Sequence, residues 1–168
     1  MRLRPRKAAL ELDPYVPGRA AEDDDHGLAS NESSLGPSPA TREAIVRAVD
    51  RVHRYPDPLA TGLRRRLGTA LGVDPQQILV GNGSDELIYL LCLAYLPLGG
   101  TVVTADPPYR LHELVPLLHD GRVRRVPLRN WVHDLPSMAM ARADMAFICN
   151  PHNPTGTTVN AGAIKAFI

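Results

Sequence analysis

The sequence predicts an α/β fold, a mostly parallel sheet flanked by helices. Three observations lead there. From Ile78 onward, short apolar runs alternate with stretches of helical periodicity, in the order strand, helix, strand, helix, strand, helix, strand. That alternation is what parallel strands joined by helical crossovers produce. Three of the strand candidates run into polar turns, "GNGSDE", "DPPY" and "NPHNPTG", and in open sheets of this kind ligands bind beyond the carboxyl ends of the strands. A composition of 44% hydrophobic and 22% charged residues over 168 positions is enough for one domain with a real core.

The elements follow in order. Residues 1–27 are expected to form an irregular, extended arm, because Pro5, Pro14, Pro17 and Gly18 interrupt any periodicity. "LASNESSLGPSP" reads as a loop up to Ser38. Ser38-Pro39 is an N-cap followed by proline at the first helical position, and Ile45, Val49 and Val52 recur at helical spacing, so a helix is expected over about 39–53. "YPDP" breaks it, and Asp57-Pro58 repeats the cap signal. Leu59, Leu63, Leu67 and Leu71 form one stripe that Gly72 ends.

Beyond it, "ILV" (78–80) is a strand candidate, and "LIYLLCLAYL" is a helix apolar on most sides and therefore expected to be buried. "TVVTA" is the next strand and "RLHELVPLLH" a helix interrupted by Pro116. "VRRVPL" is a strand, "LPSMAMA" a short helix and "MAFIC" (145–149) a strand. "AGAIKAFI" begins a helix without a C-cap, which suggests part of something longer.

Several function classes drop out. A net charge of +1 makes no electrostatic case for nucleic acid or membrane. No stretch approaches the ~18 apolar residues of a membrane span, and no secretory signal follows the basic start, so a cytoplasmic protein is expected. Cys92 and Cys149 both lie in apolar runs and read as buried thiols. The histidines lack metal-site spacing, so no metal is expected.

The turns carry the chemistry. In Gly81-Asn82-Gly83-Ser84-Asp85-Glu86, two glycines allow a tight bend, and a helix beginning near Ser84 would turn its free N–H groups and partial positive charge toward the crevice, which suits a phosphate. Only backbone could bind there, with Asp85 and Glu86 turned aside or supporting the turn. The same segment also reads as an ordinary strand-to-helix turn with Ser84 as N-cap. Tyr109, after two prolines, is either a ring presented for stacking on a planar heterocycle or a tyrosine covering the core rim. Asn153, between Pro151 and Pro154, is an aimed neutral amide that could donate to an oxyanion, or part of a rigid turn with Asx-type bonds.

Taken in order, "SNESSLGPSP", "YPDP", "GNGSDELI" and "NPHNPTG" resemble the class I/II pyridoxal-phosphate aminotransferases, and within them most resemble the histidinol-phosphate branch. The likeness runs from about Tyr15 to the last residue. It implies a fold type I large domain, with 1–38 as arm and substrate-facing loop and 39–168 as the N-terminal part of the cofactor-binding domain. It implies pyridoxal 5'-phosphate as cofactor, with Gly83, Ser84 and Asp85 at its phosphate, Tyr109 stacked on its ring and Asn153 bonded to its phenolic oxygen. Tyr55 would reach the phosphate of a neighbouring subunit in a homodimer with shared sites, and Tyr15 and Asn31 would face the substrate.

The Schiff-base lysine of the family lies farther along than this chain runs, and Lys7 and Lys165 do not match it. No catalytic residue is therefore assigned, and the chain alone is expected to be inactive. Pro108 and His112 also depart from residues common beside the stacking tyrosine. The implied activity is amino transfer between histidinol phosphate, or a similar amine, and a 2-oxo acid. The alternatives are a non-catalytic cofactor-binding or partner-binding remnant, an aromatic aminotransferase, or a phosphothreonine decarboxylase.

Overall fold

The computed structural model describes residues 4–13 and 31–168. It divides into two compact units, one of residues 1–12 with 79–168 and one of residues 13–78. The larger unit holds helices α1 (Lys7–Glu11), α4 (Gly83–Tyr95), α5 (Leu111–Leu118), α6 (Leu135–Met140) and α7 (Ala161–Phe167), and strands β1 (Thr101–Asp106), β2 (Arg122–Pro127) and β3 (Met145–Ala146). The smaller holds α2 (Pro39–Val49), α3 (Thr61–Leu71) and a 3₁₀ turn at Pro75–Gln77.

The parallel α/β architecture expected from the alternation is present. The strands lie in the order β2-β1-β3, with both pairings parallel. β1 is central and buried from Thr101 to Ala105. Successive side chains of a strand face opposite sides, so its two valines enter different cores. Val102 joins Ile88, Cys92 and Leu96 of the α4 segment with Val115 and Phe147. Val103 joins Leu135 and Met138, with Phe167 packed against them. The sheet is thus covered by α4 and α5 on one face and by α6 and α7 on the other. Each such buried aliphatic side chain contributes about 1.5–3 kcal/mol. β2 is an edge strand whose Arg122, Arg124 and Arg125 are exposed, a charge pattern that discourages further strand pairing.

Several local expectations need correction. Residues 4–12 are not an irregular arm, because α1 packs against α5, with Lys7 and Glu11 paired at 3.5 Å and Arg6 paired with Asp120. Lys7-Ala-Ala-Leu-Glu is a run of good helix formers once Pro5 is passed. The 78–80 segment is not a strand: Ile78 is extended (φ −110°, ψ 121°), but among the described residues no ladder pairs with it. In "MAFIC" only Met145–Ala146 pair as a strand, with the Phe147 N–H still reaching the Val103 carbonyl at 3.0 Å. α4 is buried on one face only; Ile88 and Cys92 are covered, while Leu93 and Tyr95 are 54% and 72% exposed.

The smaller unit follows its cap signals at Ser38 and Gly72 but not at Asp57. Ser38 Oγ accepts the Thr41 N–H at 3.2 Å, with Pro39 next in line. α2 ends at Val49 rather than residue 53, and the chain continues in i to i+3 turns, since Tyr55 precedes a proline and disfavours helix. Asp57 accepts from Leu59 at 3.0 Å and Thr61 at 2.6 Å, but α3 starts at Thr61 with Ala60 as its N-cap, three residues later than the Asp57-Pro58 signal predicts. Gly72 closes α3 at φ +68°, as its position after the leucine stripe predicts.

Candidate active site

Because β1 and β3 run parallel, the segments after Asp106 and after Ala146 leave the sheet at the same edge. α4 runs the other way, and its first turn returns to that edge. Two hydrogen bonds tie the three turns together. Tyr109 Oη donates to Asp85 Oδ1 at 2.9 Å, joining the "DPPY" turn to the start of α4. His152 Nε2 lies 3.1 Å from the carbonyl oxygen of Pro107, joining the "NPHNPTG" turn to the "DPPY" turn. The peptide bonds before Pro107, Pro151 and Pro154 are cis.

At the α4 terminus, helix begins at Gly83, which has φ +76° and so favours glycine. Asn82, not Ser84, is the N-cap residue, and Ser84 stands one step inside the helix. Glu86 supports the turn as expected. Its Oε2 accepts from the Asn82 backbone N–H at 2.5 Å and from Nδ2 at 3.0 Å. A side chain at Gly81 would meet that same oxygen at 2.9 Å. Asp85 is occupied by the tyrosine hydroxyl. Both acidic groups are therefore engaged by donors, while the N–H groups of Ser84 and Asp85 have no acceptor among the described residues. Those free donors and the positive end of the helix form an anion-attracting position.

Tyr109 is half-buried. Its ring meets His112 edge-on (5.2 Å between centroids, 77°), and His112 stacks on Phe147 (4.6 Å, 10°). The ring is thus fixed from the core side by an imidazole and a phenyl group, and from its hydroxyl by Asp85.

Asn153 is exposed, and its carboxamide makes no hydrogen bond among the described residues. Its backbone N–H points to Cys149 Sγ at 3.3 Å, and that thiol donates to the Pro151 carbonyl at 3.3 Å. Asn150 clamps the far side of the turn, with its amide exchanging two bonds with Val159 at 3.0 and 2.9 Å. The turn's backbone is held while one amide is left to face outward.

The structure therefore brings Gly83, Ser84, Asp85, Tyr109 and Asn153 to one edge of the larger unit. Asn31 and Tyr55 belong to the smaller unit, where Asn31 has φ +53° and Tyr55 is 96% exposed. Tyr15 lies outside the described residues.

Three features were missed by sequence reasoning. His112, His133 and His152 are buried and close together, with the His133 and His152 rings 4.9 Å apart. Burial, and then the neighbouring His133 and His152, push the His112 pKa down to about 4. Burial, and then His133, also lower His152, against an opposing effect of its bond to Pro107. Second, buried Glu113 accepts from Arg110 at 2.9 Å and from Arg125 Nε at 2.8 Å, which lets a carboxylate sit inside. Third, Cys149 braces the turn. Isolated histidines and cysteines in the sequence carry no spacing signal for such roles; only the position of His152 between the two Asn-Pro pairs could have pointed to one.

Among the described residues no His/Cys/Asp/Glu group could hold a metal ion, and no helix is long and apolar enough to cross a membrane.

The chain is similar to a histidinol-phosphate aminotransferase of Moorella thermoacetica, with 40% identity over 97% of this chain and 45% of the relative. It is similar to that of Halalkalibacterium halodurans, with 37% identity over the whole chain and 48% of the relative. Among solved structures, it resembles histidinol-phosphate aminotransferase from Sinorhizobium meliloti in complex with pyridoxal-5'-phosphate, at a TM-score of 0.79 and 31% identity, over 82% of this chain and 39% of that one. The chain spans a little under half the length of the curated relatives it matches. The family model of aminotransferase class I and II takes in residues 23–168, every edge residue described above included. By that match, the chain belongs to the class I and II aminotransferases.

Proposed function

We propose that this chain is the N-terminal part of a pyridoxal-phosphate-dependent aminotransferase that moves an amino group between histidinol phosphate, or a similar amine, and 2-oxoglutarate. The observation that carries this reading is the meeting, at one sheet edge, of free helix N–H groups, a braced tyrosine ring and an outward-facing amide. These suit the three parts of a phosphorylated pyridine. The Ser84 and Asp85 N–H groups would hold the phosphate. Tyr109 would cover one face of the ring, its tilt set by Asp85 and His112. Asn153 would donate to the phenolic oxygen without titrating itself. When bound, the cofactor supplies an electron sink for the carbon that carries the amine.

The chain's two lysines do not suit the role of the covalent anchor. Lys7 is ion-paired with Glu11 in α1, and Lys165 is exposed in the last turn of α7. The 168 residues by themselves are therefore expected to give no turnover. The resemblance around "RYPDP" supports a homodimer in which Tyr55 reaches the neighbouring subunit's cofactor.

The test is a turnover assay on the polypeptide as its gene encodes it, with pyridoxal phosphate, 2-oxoglutarate and a panel of histidinol phosphate, phenylalanine, tyrosine and phosphothreonine. Glutamate formation fastest with histidinol phosphate supports the reading. A preference for aromatic amino acids, or decarboxylation of phosphothreonine, replaces the substrate. Absence of any cofactor-dependent turnover removes the reading itself.

A further inference from the structure

We propose that His152 is a positioning residue, whose imidazole ties the turn presenting Asn153 to the turn presenting Tyr109 and so fixes the spacing between amide and ring. The inference rests on the reading of this edge as a pyridoxal-phosphate site.

The proton inventory carries it. His152 is 1% exposed, although its turn is otherwise open to solvent. Its Nε2 faces the Pro107 carbonyl at 3.1 Å. A carbonyl only accepts, so Nε2 carries the hydrogen. Burial favours the neutral ring, which leaves Nδ1 as an acceptor. Its neighbour, Thr155 Oγ1 at 2.9 Å, must then donate to it. That uses the only hydrogen of the Thr155 hydroxyl. The Thr157 hydroxyl, 2.8 Å from Thr155 Oγ1 and 2.5 Å from the Trp131 carbonyl, then supplies the one remaining hydrogen to both, and Thr155 at 3.2 Å gives none to Trp131. The Gly156 N–H returns to the His152 carbonyl at 2.6 Å, and the His152 N–H reaches the Thr157 carbonyl at 2.8 Å. Every polar atom of His152 is thus engaged, with one side of the ring anchored in its own turn and the other on the stacking turn.

His133 makes a simpler tie one step away, through one nitrogen only, since its buried Nδ1 has no partner among the described residues. Its Nε2 faces the Cys149 carbonyl at 2.9 Å, so it too donates. The tether runs from the segment after β2, through the Asn-Pro turn, to the segment after β1. A residue needed only to fill the interior could be any apolar side chain of similar size. Here the ring's two nitrogens take opposite roles toward two different turns.

The experiment compares wild type, His152→Ala and His152→Gln in the polypeptide as its gene encodes it. Glutamine can place a donor where Nε2 now lies. The readouts are the dissociation constant for pyridoxal phosphate, from fluorescence quenching, and the position of the bound cofactor's visible absorption band. Binding weakened at least fivefold with a displaced band in His152→Ala, and both returned to within about twofold of wild type in His152→Gln, is the expected result. Unchanged affinity and band in a folded His152→Ala overturns the inference. So does a loss of thermal stability with no spectral change, because that is interior filling alone.

If His152→Ala does not fold, nitrogen-15 spectra of wild-type histidine side chains decide. The inference requires the Nε2–H tautomer for His152, and the Nδ1–H tautomer contradicts it. Failure of wild type to bind pyridoxal phosphate at all counts instead against the cofactor reading.

Discussion

The two units of the molecule use the same sequence signals with different results. In the larger, apolar periodicity ends in burial: β1 is covered on both faces, and Val102 and Val103 each enter a separate core. In the smaller, α2 has an equally regular stripe, yet none of its residues is buried, and Ile45 and Val49 are 58% and 55% exposed. The amphipathic pattern states which face seeks cover; it does not state that the cover belongs to the same stretch of chain. Helices of this length depend on packing more than on propensity. The larger unit should therefore carry the stability, and the smaller should be held by its caps.

The largest effect that would sharpen this contrast is a charge in the central strand. Val102→Asp should cost more than about 4 kcal/mol and unfold the larger unit, since an unpaired carboxylate would replace a valine with no exposed surface. Ile45→Asp on α2 should stay within about 0.5 kcal/mol. Urea titrations of both variants check this, and equal losses would break the comparison.

Acid is the next probe. His112 titrates near 6.5 when unfolded and near 4 when folded. A depressed histidine pKa means that the unfolded chain binds the proton first, so its contribution is complete above pH 6.5 and lost as pH falls toward 4. The loss should be roughly 3 kcal/mol, with His152 acting in the same direction. Denaturant midpoints at pH 7.5 and 4.5 measure it, with His112→Phe expected to flatten the slope.

The smallest effect belongs to the smaller unit. Ser38→Ala removes the acceptor for the Thr41 N–H and should cost about 1 kcal/mol of local helix stability. Amide exchange should quicken in the first turn of α2 and nowhere in β1.

How much of this was legible beforehand depends on the kind of interaction. The strand–helix alternation from residue 101 onward and the caps at Ser38 and Gly72 could be read because each is encoded within a few residues. The 78–80 strand could not be settled that way, because a strand exists only through a partner, and none pairs with it among the described residues. The over-long estimate of burial on α4 has the same cause: apolar content was visible, but the surface opposing it was not. At the edge, Gly83, Tyr109 and Asn153 stood out by their turn chemistry. His152, His133 and Cys149 did not, since their roles arise from contacts such as the one between Pro107 and His152, 45 residues apart.

The central claim is that three turns of the larger unit meet to hold one phosphorylated aromatic ring. Its most direct measurement is the titration of pyridoxal phosphate into wild type and Asn153→Ala, followed by the quenching of protein fluorescence. Saturable binding that weakens about tenfold or more in the variant, as the loss of a hydrogen bond to a charged oxygen implies, is the predicted result. Binding that is absent, or indifferent to Asn153, would contradict it.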